Sequence, residues 1–195
     1  MPIIELESGN FTRVHSGFGS FASGIEQNIY IVDSVLEGSS SGKGSLKVDV
    51  HGNIEVKWIV GNPPINFGRN VRIGIAIKFL SFSPYVLAGI FIGSNEAGIY
   101  TGFDAYGNPA YYLWNSFAGS LQITPNYFEQ IILRQEIGTS VSYYSSSNQN
   151  TKNLVATLTA SSTNLGQAGF FVRKSSAGST SILFDYFFIE EYIGA

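Results

Sequence analysis

Hydrophobic residues in this chain recur mainly at every second position. In Ser45–Val50, Leu46, Val48 and Val50 alternate with Lys47 and Asp49; in Ile54–Val60, Ile54, Val56 and Trp58 alternate with Glu55 and Lys57. A period of two is that of a strand with one face on a core and one in water. The two runs flank His51-Gly52-Asn53 and read as a hairpin. Asn70–Phe82 is a longer strand, with Val71, Ile73, Ile75, Ile77 and Phe79 on one face and Arg72, Gly74, Ala76 and Lys78 on the other. The closing stretch differs. Gly169–Arg173 and Ser181–Tyr192 flank the small-residue turn Ser175–Ser179, and the second run is apolar on both faces. It predicts a hairpin whose last strand is covered on both sides, in the middle of a sandwich.

The same reading predicts strands at Ile3–Glu7, Ile29–Leu36, Tyr85–Gly93, Gly98–Phe103 and Leu154–Ala160. Tyr127–Glu136 and Thr139–Ser146 form a hairpin around Ile137-Gly138, and Pro109–Phe117 is one aromatic-rich run. Residues 1–24, rich in Gly, Ser and Phe after the first strand, read as an irregular segment packed on the rest. No segment has the pattern of an amphipathic helix. About a dozen short strands with frequent turns predict an all-β, single-domain antiparallel β-sandwich over residues 1–195.

Composition narrows the chemistry. Charged residues are 13% of the chain, about half the usual ~25%, and Ser, Gly, Asn and Tyr supply the polarity. A neutral, hydroxyl- and amide-rich surface suits sugars or other protein surfaces. The net charge of −3 and the scattering of the eleven Lys and Arg exclude a basic stripe for nucleic acid. No apolar run approaches the roughly 20 residues of a membrane-spanning helix, and MPIIELES lacks the pattern of a signal peptide. There is no cysteine, hence no disulfide and no thiolate metal site or nucleophile.

Three pieces together resemble the concanavalin A-like lectin/glucanase superfamily, also called laminin-G-like jelly rolls. They are Tyr85–Gly93, Glu129–Tyr144 (EQIILRQEIGTSVSYY), and the closing Gly169-Phe170-Phe171-Val172-Arg173 with Phe184-Asp185-Tyr186-Phe187. The resemblance spans roughly residues 45–192 as a strand pattern. It implies two curved sheets packed face to face, with any ligand on the concave face or on loops at one edge. Glucanases of the superfamily carry Glu-x-Asp-x-Glu on one strand. That triplet is absent here: Glu190 and Glu191 are adjacent and point to opposite faces, and Glu129 and Glu136 lie near the two ends of one strand. His15 and His51 read as exposed loop histidines rather than catalytic bases. No catalytic residue is nominated.

The candidate ligand-binding set is Trp114, Tyr112, Tyr100, Asp104 and Asn115, since rings stack on sugar C–H faces and amides or carboxylates take the hydroxyls. Alternation places Tyr112 and Trp114 on one face and Tyr111 and Leu113 on the other, so one pair belongs to the core. The competing reading is that these aromatics simply fill the sandwich. Asp185, among aromatics, needs a cation or several donors if buried. The resemblance implies a structural Ca2+ there, with Glu7 as a helper; a hydrogen-bonded or ion-paired Asp is the alternative.

The leading expectation is a non-catalytic, lectin-like sandwich that binds carbohydrate or glycan at an extracellular, cell or virion surface. The alternatives are a self-associating structural jelly roll of a virion, filament or envelope, and a polysaccharide hydrolase or lyase whose catalytic residues the sequence does not name.

Overall fold

β-Branched and aromatic residues at period two fold as strands, and strands with one apolar face pair into layers. A computed structural model of the chain describes residues 11–16, 21–23, 29–32, 45–60, 70–81, 84–92, 99–103, 106–113, 116–120, 129–138, 140–146, 153–159 and 168–192. Among these the regular elements are all strands: β1 (Phe11–Ser16), β2 (Phe21–Ser23), β3 (Ile29–Val32), β4 (Ser45–His51), β5 (Ile54–Val60), β6 (Val71–Phe79), β7 (Val86–Ile92), β8 (Ile99–Phe103), β9 (Pro109–Leu113), β10 (Ser116–Ser120), β11 (Glu129–Ile137), β12 (Ser140–Ser146), β13 (Asn153–Thr159), β14 (Ala168–Lys174) and β15 (Ser179–Tyr192). Among the described residues no helix is long and apolar enough to cross a membrane.

The strands form an all-β antiparallel sandwich. An eight-stranded sheet runs β13-β12-β11-β6-β15-β4-β3, with β1 also on β15, and a seven-stranded sheet runs β10-β9-β8-β7-β14-β5-β2. One apolar core lies between them, drawing on Val48, Ile73, Ile75 and Ile77 from the first sheet and Val86, Ile90, Phe170 and Val172 from the second. Phe170 of β14 meets Phe184 and Phe187 of β15 with ring centroids 5.0 and 5.1 Å apart, and Phe79 meets Phe103 edge-on at 5.2 Å. These contacts cross from sheet to sheet at the spacing favoured for offset and T-shaped pairs.

As the sequence predicts, both faces of β15 are covered: Phe184 and Phe187 are buried towards the core, and Leu183 and Phe188 are buried on the other side; β15 also sits inside its sheet. β6 lies on one side, while β4 covers its first half and β1 its second on the other. The pairing with β6 slips between Asp185 and Phe188. The slip changes which residues face inward, so Ile182 and Phe184 are followed in the core by Phe187 and Ile189.

Both hairpins expected around Gly52 and Ser175–Ser179 are corners instead. β4 and β15 belong to the eight-stranded sheet, whereas β5 and β14 belong to the seven-stranded one. β6 and β7 are joined across the sheets in the same way. The three crossings lie side by side: Gly52 N donates to Gly178 O, Leu80 N to Ser181 O and Ser175 N to Tyr85 O, each at 2.9 Å. Gly52 and Gly178 have φ of 67° and 86°, which favours glycine at these corners. Lys174 is buried there, its Nζ donating to Ser176 O and Oγ at 2.7 Å and to Ala177 O at 2.9 Å. Burial lowers its pKa from the ordinary lysine value. The β11–β12 hairpin is as predicted, with Gly138 at φ 63° and its N–H donating to Asn70 Oδ1 at 2.7 Å.

Two further expectations change, and one is not tested. Residues 11–16 and 21–23, expected to be irregular, are strands paired with β15 and β5, and His15 lies in the first of them rather than in a loop. The aromatic-rich Pro109–Phe117 contributes to two paired strands, Pro109–Leu113 and Ser116–Ser120, which no turn signal had separated. The opening strand Ile3–Glu7 lies outside the described residues.

The face of the eight-stranded sheet away from the core carries a buried ion pair. Arg72 Nε donates to Glu190 Oε2 at 3.0 Å, and the Arg72 guanidinium lies 5.8 Å from the centre of the Phe188 ring. Glu190 is buried and Glu191 exposed, the opposite orientations expected of neighbours on a strand. Removing one member of such a pair leaves an uncompensated buried charge, at a cost of about 3–5 kcal/mol. Glu190→Leu should therefore lose roughly that much in urea denaturation. Arg72→Met combined with Glu190→Leu should lose clearly less than the sum of the two single variants; strict additivity would mean the two side chains are not coupled.

Candidate functional site

The outer face of the seven-stranded sheet holds the aromatic cluster. Alternation in β14 sends Phe170 and Val172 into the core and Phe171 and Arg173 to the other side. Phe171 pairs in register with Gly89, Gly89 with Tyr100, and Tyr100 with Tyr112, so one row crosses β14, β7, β8 and β9. Phe91, Tyr100 and Phe171 form one cluster, with Tyr112 packed against it. Tyr100 meets Phe171 edge-on at 4.5 Å, and Phe91 lies 6.4 Å from Phe171.

The glycines make this row possible. A Cβ on Gly89 would stand 2.8 Å from Tyr100 Cδ1 and 2.4 Å from Ile99 O, so the Tyr100 ring occupies the space where a side chain would be. Gly102 is as confined, since a Cβ there would lie 2.0 Å from Val86 O.

Beside this row lies a charged pair. Glu55 pairs in register with Arg173, and Arg173 Nε donates to Glu55 Oε2 at 2.9 Å. The Arg173 guanidinium also sits 5.8 Å from the centre of the Phe171 ring. Phe91, Tyr100 and Phe171 are buried, while Tyr112 is partly exposed and the Arg173 and Glu55 side chains are 27% and 40% exposed. A ligand therefore reaches Tyr112, Arg173 and Glu55, with the buried rings beneath as a rigid floor. Arg173 and Tyr112 are three strands apart, about 14 Å, a span that suits an extended ligand better than a single small group. Burial pushes the Tyr100 phenol well above its ordinary value, with the Arg173 guanidinium pulling the other way.

Of the sequence candidates, the structure brings Tyr100 and Tyr112 together as register partners on this face. Tyr100 is buried, so it supports the surface rather than offering its ring to a ligand. Leu113 packs against the core, so the alternation within β9 is as predicted. Trp114, Asn115, Asp104 and Glu7 lie outside the described residues. Asp185 sits in β15 opposite Ala76, where the register begins to slip. Among the described residues no three His, Cys, Asp or Glu converge as a metal centre. His51 is exposed, its Nδ1 2.8 Å from Ser179 Oγ. The residues that sequence reading did not nominate are Phe91, Phe171, Arg173 and Glu55. The usable signal was alternation within Gly169–Arg173, which separates Phe171 and Arg173 from Phe170 and Val172.

No family model and no curated protein matches the chain. Solved structures do. A GH131 beta-glucanase catalytic domain from Podospora anserina superposes with a TM-score of 0.63 at 12% identity, over 96% of this chain and 86% of that one. The catalytic domain of a glycoside hydrolase family 131 protein from Coprinopsis cinerea gives 0.62 at 15% identity, over 89% and 84%. A functionally unknown protein from Saccharomyces cerevisiae gives 0.61 at 11%, over 85% and 97%. At these identities the likeness is one of fold.

Two expected outcomes test the geometry of this face. Gly89→Val forces the Tyr100 strand away and should lower the melting temperature far more than Tyr112→Ala, which removes a partly exposed ring; equal losses would contradict the packing described. In the unfolded chain Tyr100 ionises near the ordinary phenol value of about 10, but in the fold it stays protonated to higher pH. Its contribution to stability is thus complete below about pH 10 and declines as pH rises beyond it. Tyr100→Phe should flatten that alkaline decline in denaturation curves taken across the range.

Proposed function

We propose that this protein recognises carbohydrate on the outer face of the seven-stranded sheet, through Tyr112, Arg173 and Glu55. The observation that carries the reading is that a partly exposed ring and, three strands away on the same rigid face, a partly exposed, ion-paired guanidinium and carboxylate are presented together. Ring faces bind the C–H surface of one pyranose, and Arg and Glu supply donors and acceptors for the hydroxyls of a unit further along the same extended glycan. The Glu55–Arg173 bond holds both groups in place before a ligand arrives, which reduces the ordering cost of binding. Two proteins of like fold are glycoside hydrolase catalytic domains, one of them a beta-glucanase, which supports the ligand class. Trp114, two residues beyond Tyr112, joins the proposal by alternation alone.

Hydrolysis is the second reading, favoured by the catalytic role of those two domains. Glycoside cleavage uses two carboxyl groups across the scissile bond. Among the described residues Glu55 is the carboxylate of this face, and it would be one of the pair.

The test is binding and turnover on a panel of β-glucans, xylans and mannans. Binding without release of reducing ends is expected, with Tyr112→Ala and Arg173→Ala each weakening retention in affinity gels by about tenfold or more, the loss of one good contact. Unchanged retention in both variants would remove this face as the site. Turnover that disappears in Glu55→Gln would put hydrolysis first.

A further inference from the structure

The three sheet crossings gather at one end of the sandwich, and the turn between β8 and β9 lies at the same end, because Val86 pairs with Phe103. Two tyrosines stand out there. Tyr106 is 88% exposed and Tyr85 51% exposed, whereas the aromatic cluster of the sheet face is largely buried. Tyr85 also has a φ of 55°, a left-handed conformation that a bulky non-glycine residue adopts only when its surroundings impose it. The surroundings do so: Ser175 N donates to Tyr85 O at 2.9 Å, and Ser176 Oγ donates to Pro84 O at 2.7 Å. Glycine would fit this corner without strain, as it does at Gly52 and Gly178, yet the chain places a ring here and holds it in water.

The one charged group the structure describes at the base of this corner, Lys174, is buried against Ser176 and Ala177. Among the described residues 51–53, 80, 81, 84, 85, 106–108 and 175–179 there is no Asp, Glu, Lys or Arg, and the polar groups are hydroxyls, amides, a histidine and backbone. Asn108 and Ser175 are exposed beside the two rings. Tyr85 immediately precedes β7 and Tyr106 lies in the turn between β8 and β9, so both rings rise from connections at the same end. Rings presented to solvent and flanked by amide and hydroxyl groups match a polyhydroxylated ligand.

We propose that the crossing end is a second saccharide-binding site, with Tyr85 and Tyr106 as stacking platforms and Asn108 and Ser175 as partners for sugar hydroxyls. The ligand class rests on the proposed function, but the site is separate from the sheet face. The two lie on one rigid sandwich, so a polysaccharide long enough to reach both binds with avidity, while a short oligosaccharide fills them independently.

Isothermal titration of the whole chain with cellotetraose and laminaritetraose distinguishes the cases. The variant for this end combines Tyr85→Gly, which removes the ring and relieves the backbone, with Tyr106→Ala; Tyr112→Ala serves for the sheet face. The expected result is two tetrasaccharides per chain in the unsubstituted protein and one in each variant. Affinity for the corresponding polymer should fall about 10- to 100-fold in the Tyr85/Tyr106 variant as avidity is lost. One tetrasaccharide per chain, unaffected by the Tyr85/Tyr106 variant and lost in Tyr112→Ala, would overturn the second site and leave the sheet-face reading standing. One tetrasaccharide lost only in the Tyr85/Tyr106 variant would keep this end as a site and overturn the sheet face. No binding of either probe by folded protein would overturn both.

Discussion

A strand that is apolar on both faces has to be covered on both, and β15 imposes that condition on everything around it. Its inward residues Phe184 and Phe187 close on Phe170 of the opposite sheet, which fixes how the two sheets face each other. Its flanks are filled by β6 on one side and by β4 and then β1 on the other. The change of inward parity between Asp185 and Phe188 keeps large side chains, Ile182, Phe184, Phe187 and Ile189, directed at the core on both sides of the slip. The three adjacent crossings follow from the same arrangement, because the neighbours of β15 and of β14 are the two ends of the same connections: β4 with β5, and β6 with β7.

Two Arg–Glu pairs show how burial divides stability from recognition. Arg72 and Glu190 are enclosed on the outer side of the eight-stranded sheet, with Phe188 beside the guanidinium. No solute reaches them, and their role is to satisfy one another. Arg173 and Glu55 have the same chemistry on the outer side of the other sheet, also beside a phenylalanine, but remain partly exposed. Exposure makes that pair a poor source of stability and a good source of directed donors and acceptors. The proposed carbohydrate face rests on that difference.

The floor beneath that pair depends on what is missing from a side chain. Gly89 sits between Phe171 and Tyr100 in register, and the Tyr100 ring fills the space above it. A larger residue would separate the strands or displace the ring, and Tyr112 would lose the surface it packs against. The crossing end works differently. Of its two exposed tyrosines, Tyr85 is held in a left-handed backbone conformation by corner hydrogen bonds to its own carbonyl and that of Pro84.

The sequence by itself determined most of the strands, the inward face of such regular ones as β6, and the antiparallel sandwich. Alternation in β6, the two-sided apolarity of β15 and the opposed Glu190 and Glu191 are local properties, and local properties survive folding unchanged. It also placed Tyr100 and Tyr112 among the candidates. What it did not determine is which strands pair. A hairpin and a corner between sheets have the same turn residues and the same alternation; they differ in partners more than a hundred residues away, so β4–β5 and β14–β15 looked like hairpins. β1 and β2 were hidden for a related reason: short, glycine-flanked segments become strands because β15 and β5 offer them an edge. Only the tertiary structure brought Arg173 beside Glu55, and Phe171, by way of Gly89, into line with Tyr100 and Tyr112. A binding face is built from register across strands, and register is set by the packing of the whole sheet rather than by any one stretch of chain.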